Sequence, residues 1–169
     1  MMQNQRGSST LELTITVVFF LLVLLSIPIL SRTFEDFIAV QKVKNGLAEV
    51  KRGSNLWLGT ELMRTRCLTL QRPLNITTLI NENLLDDQLQ TLEWTFAVTL
   101  VSTTTNPIWQ RPTTILTTVT IADSRLRAAV QAALKPMRMN GNNLIFHSPI
   151  SADIANTLAL INRNTGCLQ

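Results

Sequence analysis

The chain has 169 residues, 46% of them apolar and 15% charged, with 15 Lys/Arg against 11 Asp/Glu and a mean hydropathy of +0.20. That is too apolar for a disordered chain and greasier than an ordinary soluble domain, which carries about 25% charge. Two Cys are too few for a disulfide-built scaffold or a four-Cys zinc site, and six Gly with six Pro exclude a collagen-like chain.

The excess apolarity is concentrated. Leu13 to Leu30 reads LTITVVFFLLVLLSIPIL, eighteen positions without a charge. A hydrocarbon core of about 30 Å needs about 20 residues of helix, so this run is a transmembrane candidate. The flank Ile27 to Arg32 lacks the small-residue triplet at which a secretory signal is cut, and the first Cys, Cys67, is too far away for a lipoprotein signal. Glu12 stands at the entrance to the run. A carboxylate at the bilayer centre costs on the order of 2–3 kcal/mol on insertion scales, and such charges are usually paired and functional. Arg6 lies before the run, and Arg32 is offset by Glu35 and Asp36 after it, a slight bias toward an inside N-terminus.

The segment Gln5-Arg6-Gly7-Ser8-Ser9-Thr10-Leu11-Glu12-Leu13 resembles the processing site of type IV pilins and of type II secretion pseudopilins. In that family a short basic leader ends in Gly, and a membrane peptidase cuts after it. The fifth residue of the mature chain is Glu, and an apolar helix comes next. Here Gly7 matches the leader Gly, Ser8 the new N-terminus and Glu12 the family Glu. The resemblance implies that Glu12 pairs with the cleaved α-amine of a neighbouring subunit. Pro28 lies close to where many relatives carry a helix-loosening Pro, and it is expected to kink or loosen the rod. Many relatives begin with Phe or Met after the cut. Ser8 departs from that and points away from a principal pilin of the commonest class. The resemblance is specific over residues 5–30 and architectural beyond them.

After the apolar run, Phe34, Phe37, Ile38, Val40, Val43, Leu47 and Val50 recur near a 3.5-residue spacing, with Glu35, Lys42, Lys44, Glu49 and Lys51 opposite. This predicts a continued, amphipathic helix packed under a domain. Gly53-Ser54-Asn55 reads as its stop. A helix from Ser8 to Arg52 would be roughly 65–70 Å long. Leu56, Trp57, Leu62 and Met63 suggest a further turn or two, and Thr78 to Leu85 a short helix capped by Thr77 or Thr78.

Leu92, Trp94, Phe96, Val98 and Leu100 alternate with Glu93, Thr95, Ala97 and Thr99, and Ile115, Thr117, Val119 and Ile121 repeat that period. Eleven of the 22 Thr lie between Thr91 and Thr120, and β-branched Thr favours strands. An antiparallel hairpin is expected, with a Pro-punctuated loop Ser102 to Pro112 carrying Trp109. Asp123 is expected to cap a helix, Ser124 to Leu134, stopped by Pro136. Asn140-Gly141 is a turn, Leu144 to Phe146 a short strand ended by Pro149, and Ser151 caps a last helix, Ala152 to Ile161.

Cys67 and Cys167 pair if the head faces an oxidising compartment, and many pilin relatives staple their C-terminal region in this way. Closing so long a loop stabilises by up to about 4–5 kcal/mol in the chain-entropy model.

No catalytic site is expected. His147 is the single His, and no CxxC, HExxH, GxGxxG or phosphate-loop pattern occurs. Glu82, Asp86 and Asp87 form the one acidic cluster, matching no calcium-loop spacing, so it reads as a solvated face and no metal or cofactor is assigned. Charge is striped. Residues 42–72 carry seven bases and two acids, 73–110 four acids and no base, and 111–169 six bases and two acids. Three readings stand. Opposite patches meet between stacked subunits and set register, or the stripes are solvated faces, or Arg64, Arg66, Arg72 or Arg125, Arg127, Arg138 grip DNA phosphates.

The expected fold is α+β. Its elements come from the patterns above, and their pilin-like arrangement is what the resemblance implies: a long N-terminal helix, transmembrane then amphipathic, on a small antiparallel sheet with additional short helices. Expected segments are a leader at 1–7, a transmembrane half-helix at 8–31 and a periplasmic or extracellular head at 32–169. The implied function is that of a structural, minor subunit of a type IV filament or secretion pseudopilus, N-methylated at Ser8. The filament could also belong to a tight-adherence pilus system. The implied partners are other pilin or pseudopilin subunits, prepilin peptidase and an inner-membrane assembly platform. Nucleic acid is not an expected partner. Expected location is the bacterial inner membrane, N-terminus cytoplasmic, then the filament. The alternatives are a bitopic membrane protein with a periplasmic binding domain, and a filament-tip adhesin or DNA-contacting subunit using the Ser102–Pro112 loop.

Overall fold

The computed structural model describes residues 5–103, 111–150, 162 and 165–167, with side chains at 12–25, 33–102, 112–150, 162 and 165–167. The expected helix at 152–161 and the loop tip at 104–110, including Trp109, lie outside the described residues. The fold is α+β. Helix α1 is Gln5–Thr65, α2 is Ile76–Asn81, and a 3-10 turn covers Asp87–Gln90. Strands β1 (Trp94–Thr103) and β2 (Arg111–Ile121), helix α3 (Ser124–Leu134) and strands β3 (Arg138–Asn140) and β4 (Asn143–Pro149) complete the order. Two compact units are formed, Met1–Ala39 and Val40–Gln169.

In the second unit the four strands make one antiparallel sheet in the order β1-β2-β4-β3. The hairpin alternation holds. Trp94, Phe96 and Val98 of β1 and Ile115, Thr117, Val119 and Ile121 of β2 are buried, while Thr95, Ala97 and Thr99 are exposed. Phe96 pairs with Val119 and Trp94 with Ile121, so the apolar side chains share one face. Val119 continues across to Leu144 of β4, which is fully buried. The three residues of β3 are all exposed, so no alternation announces the strand. It exists because Gly141, at φ +58°, permits a two-residue turn that folds Asn140 onto Asn143.

Helix α3 has the expected bounds. The Asp123 carboxylate accepts from the Arg125 amide at 2.8 Å, and Lys135 ends the helix in the left-handed region before Pro136. Arg127 Nη1 donates to the Ile121 carbonyl at 2.9 Å and to Asn142 Oδ1 at 2.7 Å, tying α3 to the end of β2 and to the β3–β4 turn. Helix α2 starts two residues earlier than expected. Its cap is Asn75, whose Oδ1 accepts from the Thr78 amide at 2.7 Å, rather than Thr77 or Thr78.

Two expectations for α1 are corrected. Its buried stripe begins at Val40, because Phe34, Phe37 and Ile38 are exposed. It also does not stop at Gly53-Ser54-Asn55 but runs to Thr65, joining the turns expected around Trp57. Val40, Val43, Gly46, Val50, Gly53, Ser54, Trp57, Leu58 and Glu61 make its buried face. The glycines there are contact residues. A Cβ on Gly46 would stand 2.6 Å from Phe96 Cζ, and one on Gly53 would stand 2.8 Å from the Leu84 carbonyl oxygen. Glycine normally weakens a helix, and here it lets neighbouring atoms reach the helix backbone.

These clearances separate three substitutions. Gly53→Ala gains about 1 kcal/mol of helix propensity but drives a methyl into backbone, so it should lower head stability by about 1–2 kcal/mol net. Gly46→Ala should destabilise less, because the atom met is the far end of the Phe96 ring. Gly59→Ala meets nothing within 4 Å and should stabilise by about 0.5–1 kcal/mol. Urea midpoints for the three variants check this order.

Candidate functional site

The backbone at Gly7 and Ser8 is helical, within α1, and their side chains lie outside the described residues. Glu12 is exposed. The Thr16 hydroxyl donates to the Glu12 carbonyl at 2.7 Å, satisfying that hydroxyl within the helix and leaving the carboxylate uninvolved in the bond. From Glu12 to Leu25 every side chain is exposed, including Leu13 at 68%, Phe19 at 63% and Leu25 at 66%. A helix that is apolar on all sides is ordinarily covered on all sides. The rest of the uncharged run falls among side chains outside the described residues, Pro28 included; the backbone of α1 continues through that position. Among the described residues no helix is long and apolar enough to cross a membrane.

At the other end of α1 lies a charge cluster that sequence reasoning missed. Glu61 is fully buried. Arg64 binds it bidentately, Nη2 to Oε1 at 2.6 Å and Nε to Oε2 at 3.1 Å. Arg72 arrives from beyond the helix and gives Oε2 two further bonds, from Nη2 at 2.6 Å and Nε at 3.1 Å. Its Nη1 reaches Glu82 at 2.8 Å, and its guanidinium lies 5.7 Å from the Trp57 ring centre. These bonds, Arg64 foremost, outweigh burial and hold the Glu61 carboxyl down at about 2. The signal was present in the spacing. Glu61 extends the buried period of Val50, Ser54 and Trp57, and Arg64 stands at i+3 from it.

The cluster has two cations and two anions, so it offers no net charge to an anionic ligand. Arg64 and Arg72 of the first arginine set are thus ion-paired, and in the second Arg127 Nη1 bonds Ile121 and Asn142. Glu82 likewise serves Arg72, and the Asp86 carboxylate accepts from the Gln88 amide at 2.9 Å. Among the described residues no group of three or more His, Cys, Asp or Glu is placed to hold a metal. His147 is exposed on β4, with Nε2 3.4 Å from the Thr114 hydroxyl.

Cys67 and Cys167 form a disulfide. The chain leaves α1 through Arg66 in the left-handed region at φ +54°, which turns Cys67 into an antiparallel bridge with Cys167. The Leu68 amide donates to the Gly166 carbonyl at 2.8 Å beside it. The staple therefore fixes Gly166 and Cys167 to the chain just beyond the long helix, six residues after Glu61.

Compared with protein-family models, with curated proteins and with solved structures, the chain matches none.

The Glu61 cluster sets a pH dependence. The folded carboxyl titrates near 2 and the unfolded one near 4.5, so the unfolded state binds the extra proton as pH falls. The cluster's contribution is complete above about pH 4.5 and drains away toward about pH 2. The partner arginines are about half exposed, which reduces the full shift to an expected loss of about 2–3 kcal/mol. Denaturant midpoints measured from pH 7 down to pH 2 should show this slope in the unaltered chain. Glu61→Gln should be less stable at pH 7 and should lose that part of the slope.

Proposed function

We propose that this chain is a structural, minor subunit of a type IV pilus-like filament or secretion pseudopilus. It waits in the bacterial inner membrane with its N-terminus in the cytoplasm. Prepilin peptidase cuts after Gly7, the new N-terminus at Ser8 is methylated, and the assembly platform feeds the subunit into the filament. The head, held by the disulfide, then faces the periplasm or the cell surface.

One observation carries the reading. Shortly after Gly7, Glu12 opens a helical stretch whose described side chains are exposed and, apart from Thr14 and Thr16, apolar. An isolated chain cannot leave that surface in water, because each fully exposed Leu or Phe forgoes about 1.5–3 kcal/mol of burial. Lipid covers it before assembly, and neighbouring copies of the same kind of helix cover it afterwards. Both are apolar, so the transfer costs little. The Glu12 carboxylate is the exception, and a neighbour's α-amine supplies its counter-charge inside the packed helices. The disulfide supports an oxidising compartment for the head.

Two measurements test the proposal. Intact mass of the chain from cells with active prepilin peptidase should lack residues 1–7 and carry one extra methyl; a full-length chain under those conditions defeats it. Glu12→Ala should leave processing intact but reduce incorporation into filaments at least tenfold, as expected when a buried charge loses its partner. Normal incorporation would remove the role given to Glu12.

A further inference from the structure

The second unit carries two chemically opposite patches, one on its helices and one on a sheet edge. A groove of about 590 Å³ opens between α1 and the α2-to-3-10 segment. Glu49, Asp86 and Asp87 line it, with Ile80, Leu84 and Leu85 as its apolar part. Arg52 is the one cation on its wall, leaving a net negative charge. Elsewhere, β3 is an edge strand of the order β1-β2-β4-β3. The segment leading into and along it reads Lys135-Pro136-Met137-Arg138-Met139, with Met137 71% and Met139 38% exposed. Among the described residues no ion pair engages Glu49, Asp86, Asp87, Lys135 or Arg138.

We infer that the acidic groove of one copy receives the Lys135–Met139 edge of a second copy. This rests on the filament reading and names the head surfaces that filament contact uses. The occupant is set by complementarity. The groove needs cations flanking an apolar group of adaptable shape, and the β3 edge presents two cations interleaved with two flexible thioethers. The groove acids and the Lys135 and Arg138 cations, which make no ion pair among the described residues of one copy, pair between copies. The groove is acidic and the β3 segment basic, so like charge keeps either patch from pairing with itself. The contact is heterologous and repeats head to tail, the symmetry class that builds open chains of subunits. It also gives the striped charge a structural use: the acids of residues 73–110 meet bases of residues 111–169 of a neighbour. Pro136 and the three-residue length of β3 keep that edge from adding a strand, so the side chains dock rather than the backbone.

The test uses the full-length chain in membranes, with Gln88→Cys beside the groove and Met137→Cys on the edge, under mild oxidation. The double variant should give a ladder of dimers, trimers and longer species, and each single variant should give none. In the double variant, Arg138→Glu should weaken the ladder at least tenfold, and adding Asp87→Arg should restore most of it. Dimers from Met137→Cys alone would mean that the edge pairs with itself, overturning the proposal. A missing ladder, or one indifferent to Arg138→Glu, would overturn it too. Intact mass on the same sample separates the two ideas. A chain cut after Gly7 without a ladder removes only this contact, whereas an uncut chain with a ladder removes the filament reading and keeps the contact.

Discussion

The head depends on how closely the inner face of α1 is approached. A helix carrying Cβ atoms at every inward position would hold its neighbours away. Gly46 and Gly53 remove two of them, so the Phe96 ring and the Leu84 carbonyl sit where methyl groups would otherwise be. Leu84 comes just after α2, and Phe96 belongs to the first strand. The two glycines therefore fix, at separate turns of one helix, where the connecting segment and the sheet lie. Val40, Val43 and Val50 fill the remaining inward positions with short, stiff side chains that demand little room.

Beyond Gly53 the same face changes character. Trp57 and Leu58 are buried, and the next inward position is a carboxylate. Glu61 would be costly there alone, and it is tolerated because four charge-assisted bonds from Arg64 and Arg72 engage both its oxygens. Arg72 comes from the segment after the disulfide and also reaches Glu82 at the end of α2. One buried anion thus joins the end of the long helix, the stapled segment and the short helix. The cluster and the disulfide act on neighbouring turns. Through Arg72 the cluster holds the segment on the C-terminal side of Cys67, and the disulfide holds the chain end that meets it.

What the sequence disclosed depended on whether a signal was local. The hairpin faces were legible because alternation at Trp94–Val98 and Ile115–Ile121 is a property of each strand by itself. Helix α3 was legible because Asp123 and Pro136 act on their own backbone. Gly53 was misread because the local role of Gly as a breaker and its tertiary role in close contact look identical in one dimension. Phe34, Phe37 and Ile38 continue the apolar spacing of Val40, but spacing does not say where the covering domain begins. Glu61 was overlooked because its cations are supplied in part from Arg72, eleven residues away. Strand β3 has no pattern of its own and is defined only by the partner it folds against. For the N-terminal segment, Gly7 and Glu12 carried a reading through their offset from an apolar run, a linear relation that needs no fold to be seen.

Net charge gains meaning only after such partners are assigned. A chain with four excess positive charges invites a phosphate-binding interpretation. Yet Arg64 and Arg72 are neutralised by Glu61 and Glu82, and Arg127 Nη1 is bonded to a carbonyl and an amide oxygen. Arg138 sits on a short strand edge between exposed Met137 and Met139, and Lys135 ends the helix before it. A phosphate backbone rewards a line of cations at regular spacing, whereas alternating cation and thioether rewards a pocket that is acidic on one wall and apolar on another. The head carries such a pocket itself, between Glu49 and Asp87. The contact proposed between copies would use this distribution, with the acidic groove of one copy against Lys135 and Arg138 of the next.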